Sequence, residues 1–185
     1  MNIFYIHPDP VIAAEMHCDK HVVKMILESA QLLSTAHRVL DGYETEGKSK
    51  TGRNVKRWIL SDDRESILYH ATHLKHPSAV WARQNSGNYK WLARLFRSLN
   101  EEYTRRYHRV HKCRGMLNEI LSLPINIKIG EQTAMPQCMP DHYKDPADSV
   151  LAYRNYYLGD KARFARWTNR NTPDWWKLNT IVNGE

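Results

Sequence analysis

The stretch MHCDKHVVKMILESAQLLSTAH, residues 16–37, has helix-forming residues at helical spacing, yet Lys20, His21, Lys24 and Glu28 interrupt its apolar run. Successive helical residues turn by about 100°, so with His17 set at zero, Lys20, His21, Lys24, Glu28, Gln31 and Thr35 all fall within about 60° of it. Val22, Val23, Met25, Ile26, Leu27, Ala30, Leu32 and Leu33 take most of the remaining circumference. A surface helix shows the reverse proportion, a limited apolar face and a broad polar one. The pattern predicts a central helix of a bundle that exposes one narrow polar seam. That seam either faces water, with Lys24 and Glu28 forming an i,i+4 pair, or lines a cleft. In a cleft, Lys20, His21, Lys24 and Glu28 would bind an anion or move protons.

The remaining punctuation gives the expected fold. NIFYI, stopped by HPDP, reads as a buried tail or a single short strand. Helices are expected over residues 11–40, 61–75, 78–107 and 112–123, with another opening at Asp145-Pro146 and broken near Gly159. Residues 43–54 and 131–145 read as loops, the first of them basic and mobile, and INIKIG at 125–130 as a short strand. The expected fold class is all-α: a single-domain helical bundle of four or five helices with long irregular loops, spanning residues 1–185. A chain of that length with 42% hydrophobic residues is large enough to bury its own core.

Charge narrows the partners. Lys plus Arg number 27 against 20 for Asp plus Glu, a net +7, which favours an anionic partner, nucleic acid first. The excess is clustered, with five basic residues and no acid in 48–57 and five more with two histidines in 105–114. Three cysteines, Cys18, Cys113 and Cys138, are too few for a disulfide scaffold and suit a reducing cytoplasm. No run of eighteen apolar residues is present, so no membrane span is expected. His108, His111, Cys113, Cys138 and His142 could furnish metal ligands, but their spacings match no strong zinc signature, and the His17–His21 pair has i,i+4 metal geometry but no acidic third ligand nearby in sequence.

Two further segments carry candidate contacts. Trp81, Leu92, Leu95, Phe96, Leu99 and Tyr103 share a helical face with Asn85 and Asn88, and a buried unpaired amide costs about 1–3 kcal/mol. Those amides either join an interhelical network or, with Arg83, face the same cleft as the first seam, beside Lys75 and His76. Toward the C-terminus, Tyr153, Tyr156, Tyr157, Phe164 and Trp167 alternate with Arg154, Lys161, Arg163 and Arg166. Rings that stack on bases, set among cations that hold phosphates, are the means of gripping unpaired nucleotides. Trp175 and Trp176 are expected to pin the chain end to the body.

With these residues in view, CDKHVVKMILESAQLL resembles the first-helix motif of the pyrimidine-dimer DNA glycosylase family of the phage endonuclease V type. HPSAVWARQNSGNYKWL resembles that family's His-Pro…Trp segment, and YRNYYLGDK its tyrosine-rich C-terminal segment. The resemblance implies an all-helical repair enzyme, without cofactor and monomeric, that flips a nucleotide from DNA and cleaves its glycosidic bond through an amine nucleophile. Carried over, Lys20 and Lys24 become phosphate or sugar clamps, and His21 stands where the family places its catalytic carboxylate. The nucleophile would be the Met1 amine, since Asn2 discourages removal of the initiator, or else Lys20 or Lys24; Glu28 and Glu15 are the nearest carboxylates. The expected catalytic set is thus Met1, Lys20, His21, Lys24 and Glu28. The expected nucleic-acid contacts are His17, Lys75, His76, Arg83, Asn85, Asn88, Tyr153, Arg154, Tyr157 and Lys161. Two other readings are a non-catalytic DNA- or nucleotide-binding protein using the same seam and a helical protein that meets an acidic partner.

Overall fold

The computed structural model of the protein describes residues 1–49 and 51–177. Lys50, within the expected basic loop, and residues 178–185 lie outside the described residues. The fold is mostly helical, 55% of it helix, with more helical segments than the four or five expected and a small two-stranded sheet. Helix α2 (Asp19–Asp41) is central, with Val22, Met25, Ile26, Ala30, Leu32, Leu33 and Ala36 all inaccessible to solvent. It packs against α5 (Ser86–Tyr107) and α4 (Pro77–Gln84), while α1 (Pro10–Met16) lies on α5. Shorter helices α3 (Arg64–Ile67), α6 (Leu117–Leu121) and α7 (Ser149–Tyr156) close the periphery. Among the described residues no helix is long and apolar enough to cross a membrane.

The structure departs from the expected elements where a side chain, distant or local, takes over backbone groups. The first helix breaks at His17–Cys18, both of which are extended. There the buried Arg106 guanidinium donates to the carbonyls of Glu15 and His17, each at 2.9 Å, and so occupies two acceptors that a continuous helix would use. The expected 61–75 helix shrinks to α3 for a similar reason. Arg38, 1% exposed, donates to the carbonyls of Trp58, Glu65, Leu68 and Tyr69, which satisfies that irregular segment without a helical ladder. The long helix expected over 78–107 divides at Asn85, whose side-chain oxygen caps α5 by accepting from the Asn88 amide at 3.0 Å. Asp145 caps a local turn through Ala147 and Asp148, so α7 starts later, with Asp148 as its cap.

Two regions change class. The expected basic loop is an antiparallel ribbon of β1 (Tyr43–Lys48) and β2 (Asn54–Ile59), in register from Tyr43 opposite Ile59 to Lys48 opposite Asn54. INIKIG is not a strand: its Lys128 and Gly130 carbonyls instead accept the amides of Ser86 and Gly87 that open α5. Gly87 permits that approach, since a Cβ there would sit 2.4 Å from the Gln132 nitrogen.

Removing the Arg38 fork leaves four buried or part-buried carbonyls without this donor and Glu65 without its ion pair. Arg38→Ala should lower the unfolding free energy in urea by about 3 kcal/mol or more, whereas a loss below about 1 kcal/mol would show that Arg38 does not hold this segment.

Candidate active site

The cleft is built by the N-terminus folding back over α2. Asn2 organises the turn: its side-chain oxygen accepts the Ile3 amide at 2.8 Å, and its amide nitrogen donates to the Cys138 carbonyl at 2.8 Å. The Tyr153 hydroxyl lies 2.8 Å from both that Asn2 oxygen and the Pro136 carbonyl. Phe4 completes the reversal at φ +55°, a left-handed conformation that is costly for a bulky side chain. The backbone N–H of Asn2 is thereby aimed at Glu28 on α2 and donates to its Oε2 at 2.7 Å. The other carboxylate oxygen, Oε1, faces the Lys24 ammonium at 3.3 Å.

Around this point lies an open cleft of about 430 Å³. Its polar wall holds Met1, Lys20, Lys24, Glu28 and Lys161, and its apolar wall Phe4, Tyr156 and Phe164. The rings are ordered: Phe4 stacks on Tyr156 at 5.8 Å between centroids, Lys161 sits 4.1 Å over Tyr156, and Lys20 sits 4.8 Å over Phe164. The positive charge of the Met1 terminus reaches His76, where it adds to burial in lowering the imidazole pKa. A larger cleft, about 650 Å³, lies beside Glu15 and the 169–174 segment. Its Arg170 is already bound to Glu102 and Glu15, so that cation is neutralised by the protein itself.

The expected catalytic residues therefore gather in one place, with His21 in a different role. His21 is 4% exposed, and burial holds its pKa down at about 2, with the charges of His17, Lys161 and Lys24 acting in the same direction. It is a neutral imidazole packed 4.0 Å from the Phe4 ring, with Nδ1 2.5 Å from the Tyr157 hydroxyl. Burial pushes the Tyr157 phenol well up, so the phenol keeps its hydrogen and donates to Nδ1. His21 is thus part of the cleft floor and cannot stand in for a carboxylate.

Several expected nucleic-acid contacts prove structural. His17, Tyr153, Tyr157 and Asn88 are wholly buried, and Asn85 is the α5 cap. Asn88 donates to the Trp81 carbonyl and to Thr133, an interhelical network in place of a cleft contact. Arg83 donates to the Leu74 carbonyl, and Arg154 donates to the Ile6 carbonyl and lies over Trp175. His76 caps α4 through the Ser78 amide, and Lys75 beside it is exposed. Lys161 alone of that set lines the cleft. Glu15 is engaged with Arg170 away from it. Asn2 and Phe4 were not legible as site residues; the one signal was a polar residue heading the apolar run NIFYI.

The exposed strip of α2 also differs from a narrow polar seam. Val23 and Leu27 are 40% and 39% exposed, while Thr35 is covered and exchanges hydrogen bonds with the backbone of Thr72. Among the described residues no group of three or more His, Cys, Asp or Glu is placed to hold a metal ion. Comparison with protein-family models, curated proteins and solved structures returns no match to this chain.

Burial also lowers His17 and His37 to about 4, so with His21 three imidazoles are neutral in the fold and chargeable in the unfolded chain. The unfolded state then binds more protons below the ordinary value of 6.5, and stability falls as pH falls. Each imidazole should contribute up to about 1.4 kcal/mol per pH unit below 6.5, and the upper part of that window, down to about pH 5.5, lies above most of the carboxylate titration. Urea unfolding from about pH 7.5 to about pH 4.5 measures this slope, and a flat profile would mean these histidines are not buried neutral.

Proposed function

We propose that the chain is a DNA base-excision enzyme of the glycosylase and lyase type, in which the Met1 amine is the nucleophile. The observation that carries the reading is the convergence of Met1, a carboxylate held 2.7 Å from the adjacent Asn2 amide, and the lysines 20, 24 and 161 on one aromatic-walled cleft. The cleft volume falls in the range of small-ligand sites, about 300–1,000 Å³. An extruded nucleotide would place its base against Phe4, Tyr156 and Phe164 and its flanking phosphates against Lys20, Lys24 and Lys161.

In the chemistry this supports, the Met1 ammonium gives up one proton to solvent, the amine lone pair attacks C1′ of the sugar, and the C1′–N bond breaks with its electron pair leaving on the base. The amine then loses a proton and the C1′–O4′ bond opens as O4′ gains one, which gives an imine. Loss of a C2′ proton expels the 3′ phosphate, and water later releases the amine. Glu28 is the acid–base group for these transfers, since it is the only carboxylate among the residues lining this cleft. A position shift relative to the resembled family follows: the carboxylate is Glu28, two helical turns beyond His21, on the same side of α2.

A second reading, a nucleotide- or DNA-binding protein without catalysis, is favoured by one observation. The Glu28 carboxylate is already engaged by Lys24 and the Asn2 amide. Borohydride added to the protein with duplex DNA containing an abasic site or a pyrimidine dimer separates the two. The enzyme reading expects a covalent protein–DNA adduct; binding without any adduct or strand loss supports the binder instead. Glu28→Gln, which can still accept the Asn2 amide, should slow strand scission by about 10²–10⁴-fold while leaving DNA affinity within about threefold.

A further inference from the structure

The β1–β2 ribbon takes no part in the cleft. Midway along it, Lys56 lies opposite Glu46 in the register and is paired with Glu44 at 2.6 Å, so the ribbon's two acids face a cation of the ribbon itself. Lys48 and Arg53 stand at its tip, and the side chain of Arg57, whose backbone lies opposite Thr45, reaches along the ribbon toward them; among the described residues none of the three forms a salt bridge. The tip is constructed to present these cations. Gly47 lets the Arg57 stem lie flat across the ribbon, since a Cβ at 47 would meet Arg57 Cγ at 2.7 Å. Arg57 then donates to the Lys48 carbonyl at 3.2 Å, and the Lys48 ammonium meets the Asn54 side-chain oxygen. Gly52 closes the turn at φ +80°.

We propose that this ribbon is a second nucleic-acid contact that docks its cationic tip into the major groove of duplex DNA whose reacting nucleotide occupies the cleft. The inference rests on the nucleic-acid reading of that cleft. A two-stranded ribbon fits the major groove, about 12 Å wide, whereas a single strand offers no groove to receive it. The ribbon's acids, Glu44 and Glu46, sit at Lys56, so the cations left for phosphate are Lys48, Arg53 and the Arg57 side chain that reaches toward the tip. The ribbon begins immediately after α2 ends. At a rise of 1.5 Å per residue, Asp41 stands about 25 Å along the helix axis from Lys24, roughly seven base-pair steps.

The test compares full-length protein with a K48A/R53A/R57A variant and a control, K90A/R97A/R114A, that removes equal charge from exposed positions elsewhere. Binding is measured on a duplex of about twenty-four base pairs with one abasic site, and on the matching single strand, across a salt series. The ribbon variant should lose about tenfold or more in duplex affinity, and its slope of log affinity against log salt should fall in magnitude by about two to three. Single-strand binding should be unchanged and the control should lose less on the duplex. Unchanged duplex affinity and slope in the ribbon variant, an equal loss on single strands, or an equal loss in the control would each overturn the proposal. If the wild-type protein binds neither DNA, the cleft reading fails and the ribbon proposal fails with it. If wild type binds and cleaves and the ribbon variant matches it, the ribbon proposal alone fails.

Discussion

The hydrogen bond from the Asn2 backbone to the Glu28 carboxylate is the contact on which the cleft depends. It joins the first residues of the chain to the middle of its central helix, across 26 positions of sequence. A charge-assisted hydrogen bond of this kind is worth about 1.5–3 kcal/mol, enough to offset much of the cost of turning Phe4 into a left-handed conformation. Without it nothing would tie the residue next to Met1 to α2, and Met1 would not line the cleft. The rest of the Asn2 side chain is spent on the same task, bonded to Ile3, Cys138 and Tyr153.

Behind that contact, two buried arginines set the frame. Arg106 binds the carbonyls at the α1–α2 junction together with Asp19 and Glu102, which fixes where α2 starts and hence where Lys20 and Lys24 point. Arg38 does the equivalent at the other end, binding the Trp58 carbonyl in β2 and the segment that follows the ribbon. A guanidinium suits both places because its planar fork can serve several acceptors at once, which a lysine cannot reproduce. The result is a helix held at both ends by cations, with its exposed strip left free between them.

Much of the site was legible in the helical period of residues 16–37. Lys20, Lys24 and Glu28 share a face in any α-helix, and that arithmetic survives although the helix begins later than expected. The break at His17–Cys18 was not legible, because the donor that causes it lies 89 residues away. The same applies to residues 61–75, where the ligand for the carbonyls is a side chain on another helix. Asn85 was misplaced for a different reason: it was counted around a helix that it in fact starts, although an asparagine before Ser-Gly is also a capping signal. The tyrosines at 153 and 157 show how burial reverses a reading based on composition, since both rings build the cleft's support and neither meets its opening.

On the function proposed above, the Met1 amine, next to the residue that the Asn2–Glu28 contact fixes, forms the bond to the sugar. The most direct measurement is peptide mapping by mass spectrometry of the borohydride-reduced adduct, to find which nitrogen carries the sugar. The expected site is the α-nitrogen of Met1. A sugar on the side-chain nitrogen of Lys20, Lys24 or Lys161, with Met1 unmodified, would contradict it.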